Sequence, residues 1–326
     1  MRIIEQYCRG KREDQSLNED GLVVTGDFAA VVDGVTSKSV RGLWKPSGGV
    51  VAKDLTTAAI ASLPADATMR ETQQAIDGRL RAAYRDRGGD ITAIMEREPV
   101  ERLQTNAVVY SAARHEAWLF GDCQIMVNGV QVPTVKRVDV LLGELRAFAT
   151  LALREQAHAA PTAQSRTVRE MSDGTSPEGT TSLAQRNADA VAHTTVDVPS
   201  ESESEDRRAD RPAPRSPDPA REMIMPFLRL QSRFANKRGP YGYFVFDGYT
   251  DPTYPIRTVH IDPGDEVVLA SDGYPILRPT LAESEHELAR LKREDPALIG
   301  SEYQSTKGFT PGLDSFDDRT YLRFVA

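Results

Sequence analysis

The pattern of apolar and polar positions divides the chain into short strand-like runs and longer helical stretches. The run Phe28–Val32 is apolar and β-branched and stops abruptly at Asp33 and Gly34, as expected for a buried strand. Leu22–Thr25 precedes it across a turn that contains glycine, so the two runs predict an antiparallel hairpin. This hairpin would bring the acidic residues just before Leu22 close to Asp33.

The same patterns predict further elements along the chain. Strand-like runs flank a polar turn at Arg114-His115 and the dipeptide Asn128-Gly129, a strong hairpin signal. Consecutive hairpins predict an antiparallel meander rather than strand–helix–strand units. Strands are predicted over Asn106–Ser111, Glu116–Phe120, Cys123–Val127, Val130–Val135, Tyr241–Phe246, Ile256–Ile261, Glu266–Ser271 and Thr320–Val325. Helices are predicted over Val50–Ser62, Glu71–Arg87, Val138–Glu155, Met223–Phe234 and, from a capping box at Thr280 and Glu283, through about Lys292.

Residues 156–220 differ in composition from the rest of the chain. They are rich in Ser, Thr, Pro and charged residues and carry scarcely any large apolar side chain. Such a segment cannot bury enough apolar surface to offset the entropy of ordering it. We therefore predict a disordered insert at 156–220 that divides one domain into a first part, 1–155, and a second part, 221–326.

Charge and cysteine content narrow the classes of partner and compartment. The chain has 326 residues and a formal net charge of −8, which favours neither nucleic acid nor anionic lipid as a partner. No apolar run reaches the ~20 residues that a membrane span needs, and Met1–Glu5 lacks the apolar core of a signal peptide. Cys8 and Cys123 are far apart and have no metal-ligand spacing. We expect a cytoplasmic protein with no nucleic-acid or membrane partner; the oligomeric state stays open.

Acidic residues recur at the ends of the predicted strands. Carboxylate and carbonyl oxygens are the ligands that Mg²⁺ and Mn²⁺ prefer. Several acids that converge without basic neighbours would repel one another, and a bound cation would remove that repulsion. No cluster of His or Cys suggests zinc instead. The acids concerned are Glu19, Asp20, Asp33, Asp122, Asp272 and Asp317.

The order of these motifs resembles that of the metal-dependent (type 2C) serine/threonine protein phosphatases. The resemblance spans both parts of the chain outside the insert. It implies an α+β fold, a four-layer αββα sandwich of two antiparallel sheets flanked by helix pairs. The motifs that carry it are Asn18-Glu19-Asp20, Val31-Val32-Asp33-Gly34, Leu119-Phe120-Gly121-Asp122-Cys123, Leu269-Ala270-Ser271-Asp272-Gly273 and Asp317-Asp318-Arg319-Thr320.

The resemblance also implies roles for individual residues. Asp33 would bridge two divalent cations, Mn or Mg, and the Gly34 carbonyl would bind one of them. Asp272 and Asp317 would complete the first cation site, Glu19 and Asp20 the second, and Asp122 a third, weaker position. Asp33 and Asp272 would thus be the catalytic residues. The implied reaction is hydrolysis of phosphoserine or phosphothreonine in a phosphoprotein by a metal-activated water.

The chain departs from the family pattern where phosphate would bind. Gln15 stands where the family usually has an arginine, so Lys11, Arg12 or Lys38 is expected to bind phosphate instead. This departure keeps a second interpretation open, an inactive phosphatase-like domain that binds a phosphoprotein or another partner. In a third interpretation the acids are turn residues of an unrelated α+β fold.

Overall fold

The computed structural model describes residues 1–159 and 218–326. The compact unit that carries the strands comprises Met1–Leu153 and Ser216–Ala326. A second unit, Arg154–Arg215, contributes only the end of one helix to the described residues. Of the predicted disordered insert, 156–220, residues 160–217 lie outside the described residues. Its two ends are not disordered: 156–159 continue a helix, and 218–220 form the N-cap and first residues of the next one.

The described residues form ten strands, arranged in two antiparallel sheets, and six α-helices. The strands are β1 (Arg2–Arg9), β2 (Asp20–Val24), β3 (Phe28–Gly34), β4 (Thr105–Ser111), β5 (Glu116–Phe120), β6 (Gln124–Val127), β7 (Val130–Val132), β8 (Arg257–His260), β9 (Glu266–Ala270) and β10 (Arg319–Val325). The helices are α1 (Gly48–Ala61), α2 (Met69–Asp86), α3 (Gly89–Arg97), α4 (Arg137–Ala159), α5 (Pro219–Leu230) and α6 (Leu281–Glu294). One sheet has the strand order β2-β3-β4-β5-β8 and is called the β3 sheet; the other has the order β1-β10-β9-β6-β7 and is called the β9 sheet.

Alternating side chains of the strands pack the two sheets face to face. Val31 and Leu119 of the β3 sheet share a buried cluster with Leu269 and Phe324 of the β9 sheet. Because successive residues of a strand point to opposite faces, the neighbouring Ala30 and Val32 turn outward and pack with residues of α1 and α2. On the far side of the β9 sheet, Leu288 and Leu291 of α6 pack on Val268 and Tyr321. The predicted four-layer αββα sandwich is confirmed.

Helices α4 and α5 form a further pair at one end of the sandwich. Val138 and Leu142 of α4 pack with Ile224 and Leu228 of α5. The sequence predicted both helices, although α5 begins at Pro219 and ends at Leu230, after which Gln231–Phe234 form a 3₁₀ turn. None of the helices that the structure describes is long and apolar enough to cross a membrane.

Three features of the fold differ from the sequence prediction. Strand β1 and helix α3 were not predicted, because β1 alternates with polar residues at a sheet edge and α3 is short. Tyr241–Phe246 is not a strand: its backbone forms only isolated bridges. The predicted meander is divided, since the β4–β5 hairpin and the β6–β7 hairpin lie in different sheets.

Candidate metal centre

Strand register assembles the first half of the acidic cluster. Asp20 lies directly opposite Asp33 in the β2–β3 ladder, and Asp33 lies opposite Asn106 in the β3–β4 ladder. The predicted hairpin therefore does bring the Asn18–Asp20 segment to Asp33. At the same edge the Gly34 amide donates to the Glu19 carbonyl over 2.8 Å. Only glycine fits there, because a Cβ on Gly34 would lie 2.2 Å from the Gly49 carbonyl oxygen.

The β9 sheet supplies the second half. Ser271, just after β9, donates its amide to the Thr320 carbonyl over 3.0 Å, which sets Asp272 beside the start of β10. Asp318, which the sequence prediction did not include, joins the two halves: its carboxylate accepts from the Glu19 amide at 2.9 Å and from the Lys11 amide at 2.7 Å. Asp318 is therefore a structural link between the strand ends.

The crossing between the sheets brings in Asp122. Gly121 has a φ of 104°, in the left-handed region that favours glycine, and a Cβ there would lie 2.1 Å from Asn106 Oδ1. Asp122 follows directly and faces the same cavity as Asp33 and Asp272. The structure thus places all the predicted acidic residues at one end of the two sheets.

The carboxylates are close enough to change one another's ionisation. Burial, with the charges of Asp272 and Asp20, holds the pKa of Asp33 well above its ordinary value. Burial also raises the pKa of Asp20, to which Asp318 and Asp317 add. The pKa of Asp272 is raised to about 7, again by burial first and then by Asp317 and Asp122. These three carboxylates are therefore destabilised in their charged forms.

Lysine side chains lie among the acids, contrary to the expectation that the cluster has no basic neighbours. Lys11 Nζ lies 2.9 Å from Asp317, and Lys136 Nζ lies 2.7 Å from Asp122. Lys307 also forms an ion pair with Asp317. Although burial opposes it, Lys307 and Lys11 together hold the pKa of Asp317 below its ordinary range. These contacts could not be predicted from the sequence, because Lys11 is remote from Asp317 in the chain and Lys136 and Lys307 lie in loops without a motif.

Hydrogen bonds divide the acids into satisfied and unsatisfied groups. Glu19 accepts from Ser47 Oγ at 2.7 Å and from Thr36 Oγ1 at 2.5 Å. Within the described residues, the side chains of Asp33 and Asp272 accept no hydrogen bond and form no ion pair. Among the described residues, three buried side-chain oxygen atoms of this cluster lack a hydrogen-bond partner, namely Asp20 Oδ2, Asp122 Oδ1 and Asn106 Oδ1.

The donor chemistry at this end of the sheets fits a divalent cation. Buried oxygen atoms without partners cost free energy, and a hard cation prefers such oxygen ligands. The arrangement is not a preformed ligand cage, because no three Asp, Glu, His or Cys side chains of the described residues are grouped closely enough to hold a metal ion. Binding a cation would require Asp20, Asp33 and Asp272 to adjust toward one another.

Acidic residues of the cluster and several basic side chains line the same cavity. The cavity has a volume of about 660 Å³. Lys38, half-buried, and Arg221 from α5 both line it, and the Lys38 ammonium forms no ion pair within the described residues. Burial, together with Lys307 and Arg221, lowers the pKa of Lys38 to about 8. The predicted Lys38 thus lines the same cavity as Asp33, Asp122 and Asp272, whereas the predicted Arg12 is exposed and does not line the cavity. Nothing in the sequence pointed to Arg221.

Comparison with known proteins gives structural similarities only. No protein-family model matches the sequence, and no curated protein matches it. The chain is similar to the catalytic domain of the serine/threonine protein phosphatase PstP in complex with two manganese ions, at 15% identity over 99% of this chain and 98% of that one, with a TM-score of 0.42. It is also similar to the Mycobacterium tuberculosis phosphatase PstP/Ppp, at 16% identity over 98% and 97% with a TM-score of 0.40. A third similarity is to RsbX in complex with magnesium, at 9% identity over 98% and 91% with a TM-score of 0.37.

Proposed function

We propose that the protein is a metal-dependent phosphomonoester hydrolase that removes phosphate from phosphoserine or phosphothreonine in proteins. One observation carries the proposal: the carboxylates of Asp20, Asp33 and Asp272 have unsatisfied charge or unpartnered oxygens, and two of them line a cavity that is also lined by Lys38, which forms no ion pair within the described residues. Acids without counter-charge suit a divalent cation, and a lysine without a counter-ion suits phosphate. A substrate phosphate would bind between the two.

Within the described residues, the acids that would hold the metal, Asp20, Asp33 and Asp272, form no ion pair with a lysine or arginine. Asp33 is central, because it lies opposite Asp20 in the strand ladder and its charge interacts most strongly with Asp272. When bound, Mn²⁺ or Mg²⁺ would supply an activated water and stabilise the charge on phosphorus. Asp20, Asp33 and Asp272 would hold the ion, and Lys38 and Arg221, which line the same cavity as Asp33 and Asp272, would bind the phosphate oxygens.

A second candidate, an inactive phosphatase-like domain that binds a partner, is favoured by the lysines among the acids. Lys11, Lys307 and Lys136 neutralise Asp317 and Asp122 by direct ion pairs. Carboxylates neutralised in this way are poorer metal ligands, since a cation would have to displace the ammonium group. The two candidates differ in whether the remaining acids suffice for catalysis.

Hydrolysis of para-nitrophenyl phosphate with and without Mn²⁺ separates the two candidates. The hydrolase should show Mn²⁺-dependent turnover that EDTA removes. Asp272→Asn should lower kcat/KM at least a hundredfold, whereas Asp265→Asn, which changes an acid in the exposed turn before β9, should not. If the folded protein shows no turnover either with or without Mn²⁺, the hydrolase is excluded and the inactive, partner-binding domain is supported.

Phosphate binding by Lys38 has its own matched control. Lys38→Ala should raise KM for a phosphoserine peptide roughly tenfold, about 1.4 kcal/mol of lost binding, with unchanged Mn²⁺ affinity. Arg12→Ala should change neither, because Arg12 is exposed and lies off the cavity wall. Equal kinetics for both variants would show that Lys38 does not contact the phosphate.

A further inference from the structure

Both carboxylate oxygens of Asp317 are already engaged by protein donors. Its Oδ1 accepts from Lys11 Nζ at 2.9 Å and from the Asp318 amide at 3.0 Å. Its Oδ2 is in contact with Lys307 Nζ. Asp317 therefore differs from Asp33 and Asp272, whose carboxylates accept no hydrogen bond within the described residues.

Both the backbone and the side chain of Lys11 are fixed in place by contacts with the segment just before β10. Its amide donates to Asp318 Oδ1 over 2.7 Å, and its carbonyl accepts from the Asp314 amide over 2.9 Å. These bonds hold its backbone against the chain just before β10. Its side chain is only 11% exposed, and its ammonium lies 3.7 Å from Glu19 and 3.6 Å from Asp318 as well. The ammonium group therefore interacts with three acids at once, each within 3.7 Å.

Lys307 supplies a second ammonium from a different direction. It lies on the 301–307 segment of the cavity wall, and its side chain is 23% exposed. Two ammonium groups at Asp317 carry the charge of one divalent ion. A dication at the same carboxylate would be repelled by both, and this repulsion is strong in a partly buried site.

We propose that Lys11 and Lys307 take the place of one divalent ion at Asp317, so that the chain binds one divalent ion and not two. The ion would be held by Asp20, Asp33 and Asp272. This inference rests on the metal binding of the proposed function, and it makes Asp317 an anchor for lysines and not a metal ligand.

The number of Mn²⁺ ions bound per chain tests the inference. We would measure it on the full-length protein by isothermal titration calorimetry and by the electron paramagnetic resonance signal of free Mn²⁺. The unmodified protein should bind one ion. Lys307→Gln frees Asp317 Oδ2 and should add a second, weaker ion, and adding Asp317→Asn to that variant should return the number to one. Lys237→Gln is the matched control, because Lys237 is exposed and does not line the cavity. This variant should bind one ion, like the unmodified protein.

The possible results separate the inference from the proposed function. Two ions bound to the unmodified protein, or one ion still bound to a folded Lys307→Gln variant, would overturn the inference even if hydrolysis is observed. One ion without hydrolysis would support the inference and overturn the proposed function. No bound ion in any folded variant would overturn both. Thermal melting of each variant confirms folding before the titration.

Discussion

Replacing Asp33 by Asn should stabilise the metal-free protein. Asp33 faces Asp20 across the ladder, and burial and the charges of Asp272 and Asp20 raise its pKa well above the ordinary value. At pH 8, we therefore expect Asp33→Asn to raise the free energy of unfolding by roughly 0.5–2 kcal/mol, the usual size of a stabilising substitution, because Asn keeps the shape and removes the repelled charge.

The same change should abolish the response to metal. A ligand at a hundred times its Kd stabilises the folded state by about 2.7 kcal/mol. The unmodified protein should gain this in Mn²⁺, and Asp33→Asn should gain little, since it lacks the charge that draws the cation. The variant should thus be the more stable protein in EDTA and the less responsive one in Mn²⁺.

Thermal melting in EDTA and in saturating Mn²⁺ measures both effects. For a chain of this size or somewhat smaller, 1 kcal/mol shifts Tm by roughly 2–4 °C, so each effect is well above the error of the method. Asp265→Asn, in an exposed turn, is the control and should behave like the unmodified protein in Mn²⁺. A lower Tm of Asp33→Asn in EDTA, or an Mn²⁺ shift equal to that of the unmodified protein, would refute the reasoning.

Two further predictions concern the stability of the region around α2. Arg102 pairs with the buried Asp247 at 2.9 Å. Arg102→Met should therefore lower the free energy of unfolding by about 3–5 kcal/mol, because it leaves the Asp247 charge unpaired. Urea unfolding measures this loss, and a loss below 1 kcal/mol would contradict the prediction. Asp77, which accepts from the Gly248 amide at 3.0 Å, has its pKa raised to about 7 by burial and by Asp247. Because the raised pKa belongs to the folded state, its contribution to stability is complete below about pH 4 and is lost as the pH rises toward 7. Asp77→Asn should flatten this part of the pH–stability curve and raise stability at pH 8 by roughly 2–4 kcal/mol; an unchanged curve would contradict it.

The sequence alone determined the elements whose stability is local. The β2–β3 hairpin follows from two apolar runs and a short turn, and its register placed Asp20 opposite Asp33. The capping box at Thr280 and Glu283 correctly predicted the start of α6. The hairpin turn and the capping box each act within a few residues, so the local sequence is sufficient to predict both elements.

Periodicity predicted burial correctly at Tyr241–Phe246 but gave the wrong element. Phe244 and Phe246 pack in the core under α1 and α2, while Tyr243 and Val245 pack with α4 and α5. Burial on two sides produces the alternation of a strand. A strand also needs a neighbour to share a ladder of hydrogen bonds, and this segment forms only isolated bridges.

The electrostatic character of the candidate metal centre was decided by tertiary structure. The acids were recognisable because each follows or precedes a strand. Which acids are neutralised depends on Lys11, 306 residues from Asp317, and on Lys307 and Lys136 from loops without a motif. An ammonium group acts through a distance of a few ångströms, and only the packing of the two sheets and their loops sets that distance. Within the described residues, the same packing leaves Asp20, Asp33 and Asp272 without a direct ion pair, and so decides which carboxylates remain for a metal.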